Sequence, residues 1–488
     1  MDTLTFHPET ESDMSEQIEC PIKKAAESNP NAIALSDSNS SVTYKQLYKL
    51  IQNTRAYLFD KNIGPGDTVA CLARNSIEQA IFFWACFKSG IIFLPLNWRL
   101  TRAQLNNQLE KINCRLLLFD KGFAGINLSC EKSTDISQIH SEKISNSFNE
   151  SDNAIDLNRE VLIVFSAGTT SEAKGVVLTA KNLYFSALGL LERFPLEKSD
   201  CWLAALPFFH VGGISILMRT AMARCSTYIM PSFQPDEIIE LCRRRKIILS
   251  VVPTMMSDLI RLDTENCLKN ARAIIMGGAG ASQRLIDKIK SLGLPVLTTY
   301  GMTETSSMIT LLSSEDSQNK PHTAGKILPY REIRISRDSH IQVKGKTLFA
   351  GFTDNSEINL SDDGWFDTAD IGEIDENGFL HVMGRSDDMI ISGGENISLS
   401  EIENALLEID FVKAAAVIKH DHEKWGQYPV ALVEVSSPNE GWEDIKEALS
   451  PKIPGFMMPR EIHILNAIPL NAVGKIDRNK LSRMLKKY

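Results

Sequence analysis

Short apolar runs of β type alternate with longer amphipathic stretches from residue 22 to residue 299, and this alternation limits the chain to a layered α/β arrangement. Strand-like runs occur at 32–35, 42–43, 68–72, 91–94 and 116–119. Helical patterns at 76–88, 235–245 and 285–292 are each followed by another strand-like run. At 488 residues the chain exceeds one ordinary domain. From residue 333 to 382 short strands and Gly/Asp turns take over, predicting a β-rich subdomain. The polar, turn-rich Gly384-Arg385-Ser386-Asp387-Asp388 marks the expected boundary. The expected fold class is therefore α/β: residues 1–384 as layered α/β subdomains plus the β-rich one, a hinge at 385–388, and a small α+β domain at 389–488. The stretch 129–156 is polar with little apolar periodicity and reads as a surface excursion.

Charge and cysteine content narrow the function. A net charge of −9 with no long basic run argues against a nucleic-acid partner. The first twenty residues lack the basic start and apolar core of a signal peptide. The most apolar stretch, 81–96, carries Lys88 and is too short for a bilayer, so no membrane insertion is expected. Nine cysteines without a Cys-x-x-Cys pair read as scattered buried thiols in a reducing cytoplasm. Oligomeric state is left open, a homo-oligomer included.

Five segments carry candidate chemistry. Ser166-Ala167-Gly168-Thr169-Thr170-Ser171-Glu172-Ala173-Lys174-Gly175 joins two strand-like runs. Such a loop can turn backbone N–H groups inward, while threonines add O–H donors and lysine a positive charge, as a triphosphate requires. It is not a Walker A loop, because Gly175-Val176 rather than Ser/Thr follows the lysine. Thr299-Tyr300-Gly301-Met302-Thr303-Glu304 follows a strand-like run, at the strand end where α/β domains bind ligands. Gly364-Trp365-Phe366-Asp367-Thr368-Ala369-Asp370 places an aspartate after a turn, able to accept both hydroxyls of a ribose. The fourth segment is Gly384 to Asp388 followed by Ser392-Gly393-Gly394-Glu395-Asn396. The fifth is Pro469-Leu470-Asn471-Ala472-Val473-Gly474-Lys475-Ile476-Asp477-Arg478, with its lysine on a glycine-bearing turn. Taken singly, a turn aspartate, a capped strand end or an exposed lysine accounts for most of these.

In this order and over this span, the set resembles the adenylate-forming enzymes, which include acyl-CoA synthetases and peptide-synthetase adenylation domains. The resemblance runs from about residue 25 to 480. That family's first loop is Thr-Ser-Gly-Thr-Thr-Gly-x-Pro-Lys-Gly. This chain keeps Gly168-Thr169-Thr170 and Lys174-Gly175 but departs at Ala167, Ser171 and Ala173, and at Ala369, where the family usually has glycine.

The resemblance implies an acid–thiol ligase using ATP, Mg²⁺ and coenzyme A as co-substrate, with small-molecule partners only. Lys475 would bridge the attacking carboxylate and the α-phosphate. Glu304 would hold Mg²⁺, with Ser166, Gly168, Thr169, Thr170, Lys174 and Thr303 around the phosphates. Asp370, helped by Arg385, would hold the ribose, and Tyr300 with Gly278 and Ala279 would flank the adenine. The small domain would be mobile, turning about Asp387 for the thiol step, with Gly393 and Gly394 admitting the pantetheine arm. His210 would shield the acyl pocket. The segment Val211-Gly212-Gly213-Ile214-Ser215-Ile216-Leu217-Met218-Arg219, the compact length and the run 391–397 resemble the o-succinylbenzoate–CoA ligases of menaquinone biosynthesis more than fatty-acyl ligases. Gly212 and Arg219 then become substrate residues, with Arg219 balancing the aromatic carboxylate. The alternatives are a medium-chain or aryl-CoA ligase and an adenylating enzyme that loads a carrier protein in trans. A serine hydrolase is excluded, since Gly213-Ile214-Ser215-Ile216-Leu217 fails the Gly-x-Ser-x-Gly elbow.

Overall fold

The computed structural model describes residues 3–5, 16–139, 154–166, 173–392, 395–422, 426–437, 440–470 and 476–485. Two seven-stranded sheets build the larger, N-terminal domain. The first runs, in spatial order, Gly351–Phe352, Lys174–Thr179, Glu160–Ser166, Ile92–Pro95, Thr68–Leu72, Cys114–Phe119 and Ser133–Asp135. Its middle is parallel, and the hairpin Glu160–Ser166/Lys174–Thr179 is antiparallel. The second runs Val296–Thr298, Ala273–Met276, Ile248–Val251, Cys201–Ala204, Ser226–Ile229, Ile33–Ser36 and Ser41–Thr43, with only the last pair antiparallel.

The helix Ile77–Ser89 shows why these layers hold. Ser76 caps its first turn by accepting from the Gln79 N–H, and Gly90, at φ 67°, ends it in the left-handed region. Phe82, Phe83, Trp84 and Phe87 are all buried, leaving no solvent face; such a helix must lie inside a core. Residues of both sheets, of this helix and of the helices Ala180–Arg193 and Val211–Ala223 form one buried cluster.

The β-rich region is a five-stranded antiparallel sheet in the order Thr3–Thr5, Arg331–Ile335, His340–Gly345, Phe366–Ile374 and Leu380–Arg385. The smaller C-terminal domain packs the helix Leu399–Leu407 on the long hairpin Val412–His422/Gly426–Val435 around its own core. Arg284 and Asp410, 3.2 Å apart, form an ion pair between the two domains.

Two expectations need correction. The stretch 129–156 is not wholly a surface excursion: Ser133–Asp135 pairs with Cys114–Phe119 at the sheet edge, and Ala154–Asp156 pairs with Gln17–Glu19. Ile136, Ile139 and Ile155 are buried. Three-residue strands are too short to display a period, so single isoleucines anchor the segment without one. Nor are all the thiols buried and scattered, because Cys114 and Cys130 are half-buried neighbours. Among the described residues no helix is long and apolar enough to cross a membrane.

Candidate active site

Four of the candidate segments converge at the strand ends, through backbone contacts and one side-chain hydrogen bond. Tyr300 stands just past the strand Val296–Thr298. The next residue must be glycine, since a Cβ at Gly301 would overlap the Ser307 carbonyl. That close approach folds Gly301–Met302 back on Ser307–Met308. The turn Thr303–Thr305 sits at the tip of this hairpin, half-buried at Thr303 and Glu304. The Thr305 hydroxyl ties it down by bonding to the carbonyls of Met302 and Ser307, both at 3.1 Å.

The Glu304 carbonyl accepts from the Phe349 N–H at 2.9 Å. The segment that follows Phe349 pairs with the strand Lys174–Thr179, Val176 opposite Phe352 and Val177 opposite Gly351. The Glu304 turn and the hairpin ending at Ser166 and Lys174 thus share one framework. Ser166 and Lys174 face each other across that hairpin. Lys174 Nζ donates to Ser356 Oγ at 3.0 Å and lies 5.0 Å from the centre of the Phe352 ring.

On the other side of Tyr300, the loop Gly277-Gly278-Ala279-Gly280 leaves the strand Ala273–Met276. A Cβ at Gly277 would come within 2.6 Å of Thr299 Cγ2, so this loop lies directly against the Tyr300 segment. Gly278, at φ 80°, turns the loop outward, and Ala279 is exposed. The Tyr300 hydroxyl donates to Asp370 Oδ2 at 2.6 Å, and Arg385 Nη1 lies 3.6 Å from Asp370 Oδ1. Burial, the Asp370 charge and that hydrogen bond push the Tyr300 phenol well above its usual pKa, so it stays a donor. Asp370 and Arg385 are themselves opposite one another across two antiparallel strands. Ala369 takes φ 58°, the left-handed conformation that glycine adopts without strain.

His210 occupies the N-cap position of the helix Val211–Ala223, without a side-chain cap bond. Its ring is 4.6 Å from that of Phe209, which meets Trp98 edge-on at 6.3 Å. Of the two glycines that follow, only Gly213 is closely approached: a Cβ there would sit 2.6 Å from the Leu206 carbonyl, whereas at Gly212 it would make ordinary contact, 3.6 Å from Leu206 Cδ1. Asn75, not singled out in the sequence, holds this segment in place. Its amide donates to the carbonyls of Ala204 and Leu206 and accepts from the Phe208 N–H at 2.9 Å. Only its position just before a helix-capping serine could have drawn notice.

Arg219 lies on the same helix and is fully buried rather than superficial. Its Nη2 donates to Ser307 Oγ at 3.1 Å, and the guanidinium sits 5.4 Å from the centre of the Trp202 ring. Nε and Nη1 have no hydrogen-bond partner, and no carboxylate forms an ion pair with it among the described residues. Burial lowers its pKa to about 9, still high enough to keep the charge at neutral pH. Arg331, also fully buried, is close enough for the two charges to repel. Through Ser307, the helix beginning at His210 reaches the hairpin that carries Thr303 and Glu304.

Gly168, Thr169, Thr170, Gly393, Gly394 and Lys475 lie outside the described residues. Asp387 falls in the turn Ser386–Asp388, directly after the strand ending at Arg385.

Comparison with known proteins finds matches along nearly the whole chain. Residues 22–351 match the AMP-binding enzyme family and residues 401–475 the AMP-binding enzyme C-terminal domain. The chain is 32% identical to 2-succinylbenzoate–CoA ligase of Listeria innocua, over 94% of this chain and 98% of that protein. It is 33% identical to the ligase of the same name from Bacillus licheniformis, with the same coverage. Among solved structures, o-succinylbenzoate CoA synthetase of Bacillus subtilis in complex with its acyl-adenylate intermediate superposes with a TM-score of 0.88 at 29% identity, covering 95% of this chain and 98% of that one. The same enzyme has been solved with ATP and a magnesium ion. The match covers more than half of this chain and includes both domains, so the chain belongs to the AMP-binding enzyme family.

Proposed function

We propose that this chain is an ATP-dependent, AMP-forming acid–CoA ligase that converts 2-succinylbenzoate to 2-succinylbenzoyl-CoA, a step of menaquinone biosynthesis. Similarity to curated ligases of that name along nearly the whole chain supports the reaction. The observation that carries the substrate is Arg219: a buried cation with two unpartnered nitrogens and, among the described residues, no carboxylate of its own. A substrate with two carboxylates offers the missing anion. An unbalanced buried charge is costly, and a ligand carboxylate, directly or through water, offsets that cost. A fatty acid has no second carboxylate to offer.

A carboxylate is a poor electrophile, so the succinyl carboxylate attacks the α-phosphorus of ATP and expels pyrophosphate. Both reactants are anions, and Lys475 brings its ammonium between them. Lys174, Ser166, Thr303 and the loop bearing Gly168, Thr169 and Thr170 hold the phosphates. Glu304 would hold Mg²⁺, which would supply neutralisation of the phosphate charge there. Asp370, oriented by Tyr300 and Arg385, accepts from the ribose hydroxyls, and the Gly278–Ala279 loop and Tyr300 flank the adenine. His210 covers the acyl pocket beside Gly212. For the thiol step, residues 389–488 turn as a mobile domain about the 385–388 hinge at Asp387, against the body 1–384. Lys475 then leaves, and Gly393 and Gly394 line the pantetheine path. The reaction belongs to the cytoplasm, where ATP and coenzyme A are both available.

A thioester-formation assay with ATP–Mg²⁺ and coenzyme A over a panel of acids tests this reading. 2-Succinylbenzoate should give the highest kcat/KM. Preference for a straight-chain fatty acid or a monocarboxylic aryl acid would leave only the general ligase reading. Transfer to a carrier-protein thiol in place of coenzyme A would replace the acceptor.

A further inference from the structure

The outer edge of the first sheet brings together two thiols that are distant in the sequence. Cys114 opens the strand Cys114–Phe119, and Cys130 lies just ahead of Ser133–Asp135, which pairs with it in parallel. The pairing joins Leu117–Phe119 to Ser133–Asp135, and just ahead of it Cys130 approaches the start of the neighbouring strand, its sulfur 3.6 Å from the Cys114 carbonyl. Their sulfurs are 3.8 Å apart, within hydrogen-bonding distance for sulfur. Both residues are half-buried, whereas the other seven of the nine cysteines are buried. Rotation of the side chains would have to close the sulfurs from 3.8 Å to about 2.0 Å.

We propose that Cys114 and Cys130 form a two-thiol oxidation site, at which a peroxide converts the facing pair into an intramolecular disulfide that ties the edge strand Ser133–Asp135 to its sheet. When Cys130 ionises, the Cys114 S–H donates to it across the 3.8 Å contact, which lowers Cys130 below the usual thiol range, while the same bond and burial push Cys114 up. Cys130 is therefore the thiolate that attacks. Its sulfur displaces hydroxide from hydrogen peroxide: an S–O bond forms, the O–O bond breaks, and Cys130 becomes a sulfenic acid. The Cys114 sulfur then attacks the Cys130 sulfur. The S–S bond forms, the S–O bond breaks, and the departing hydroxide takes the Cys114 proton as water. In sum two thiols are oxidised by two electrons and one peroxide is reduced to two waters. A thiol reductant reverses the step by exchange.

The experiment uses the full chain. It is reduced, freed of reductant, treated with equimolar hydrogen peroxide, alkylated and mapped by mass spectrometry. The expected product is a single Cys114–Cys130 linked peptide, lost on treatment with dithiothreitol, with the seven other cysteines alkylated only after unfolding. The oxidised chain should melt a few degrees higher than the reduced one. Cys114→Ser should trap a sulfenic acid at Cys130 that dimedone labels, and Cys130→Ser should form neither adduct nor link. Serine is close in size to cysteine, and unchanged melting of each reduced variant checks that it folds. A link between two chains, direct over-oxidation of Cys130 with Cys114 left free, or equal dimedone labelling of Cys114 in Cys130→Ser would each overturn the proposal.

Discussion

The Tyr300 hydroxyl donates a 2.6 Å hydrogen bond to Asp370, joining the carboxyl end of the strand Val296–Thr298 in the second sheet to the β-rich subdomain. It occupies Oδ2, while Arg385 stands 3.6 Å from Oδ1, so the carboxylate is held from both sides. Asp370 is only 8% exposed, and water cannot readily replace a lost donor there. Leaving a buried acceptor unsatisfied costs about 1–3 kcal/mol. In Tyr300→Phe the carboxylate loses its orientation, and the KM for ATP should rise by roughly tenfold, the factor that ~1.4 kcal/mol represents. The KM for the acid should stay within about twofold of the parent value. Steady-state kinetics in each substrate decide it, and an unchanged KM for ATP would remove Asp370 from the ribose site.

Arg219 sets stability against function. Burying it with no carboxylate partner among the described residues is unfavourable in the free protein, and Arg331 nearby adds repulsion. Replacing buried charges with apolar side chains of similar volume is often neutral or stabilising by about 1–4 kcal/mol. Arg219→Met should therefore raise the melting temperature of the ligand-free protein, or leave it unchanged, despite the lost bond to Ser307 and the contact with Trp202. The same variant should raise the KM for 2-succinylbenzoate at least tenfold and spare that for ATP. An analogue lacking the aromatic carboxylate should be a poor substrate for the parent and indifferent to the substitution. A large loss of stability with no change in acid KM would make Arg219 a purely structural residue.

How much of this was legible in the sequence depended on whether the cause was local. The hairpin ending at Ser166 and Lys174 could be read because apolar runs flank a hydroxyl-rich loop. The Tyr300-to-Glu304 segment could be read because it follows a strand. Asn75 could not, since its three hydrogen bonds go to residues some 130 positions away. The full burial of Arg219 could not be read either, because arginine is almost never fully buried unless paired. Gly212 and Gly213 look alike in a string of letters, and only the path of the Leu206–Pro207 backbone tells them apart. The contact of Cys114 with Cys130 depends on a three-residue parallel strand with no visible period.

Ala369 stands where the family usually has glycine, and its φ of 58° gives the reason for the family's preference. An L-residue with a Cβ in the left-handed region costs about 1–2 kcal/mol relative to an unstrained conformation. Glycine relieves that strain but adds freedom to the unfolded chain, which cancels part of the gain. Ala369→Gly should therefore stabilise the protein by about 1 kcal/mol, measured by urea denaturation. A destabilised variant would mean that the alanine methyl makes packing contacts worth more than the strain.

Lys475 is proposed to act in adenylation only. Lys475→Ala should then abolish pyrophosphate release, the readout of the first half-reaction. Thioester formation from supplied acyl-adenylate should keep most of its rate, because the thiol step needs the C-terminal domain turned and the lysine gone. Equal losses in both half-reactions would contradict a division of labour between two domain orientations.

The two glycines after His210 give the sharpest contrast, since they are adjacent and chemically identical. A methyl group at Gly213 would press on the Leu206 and Pro207 carbonyls. Backbone cannot yield as a flexible side chain can. The helix Val211–Ala223 would have to shift, and with it His210 at its start and Arg219 at its interior. Overpacking of this kind costs about 1–3 kcal/mol. At Gly212 the methyl would only touch Leu206 Cδ1 at ordinary contact distance. Gly213→Ala should lower the melting temperature by several degrees and reduce kcat/KM for the acid more than tenfold. Gly212→Ala should melt within about a degree of the parent, and any kinetic effect should fall on the acid rather than on ATP. If Gly212→Ala instead unfolds the protein and Gly213→Ala is silent, the path of the backbone into this helix is not as described, and the placement of His210 and Arg219 on one helix falls with it.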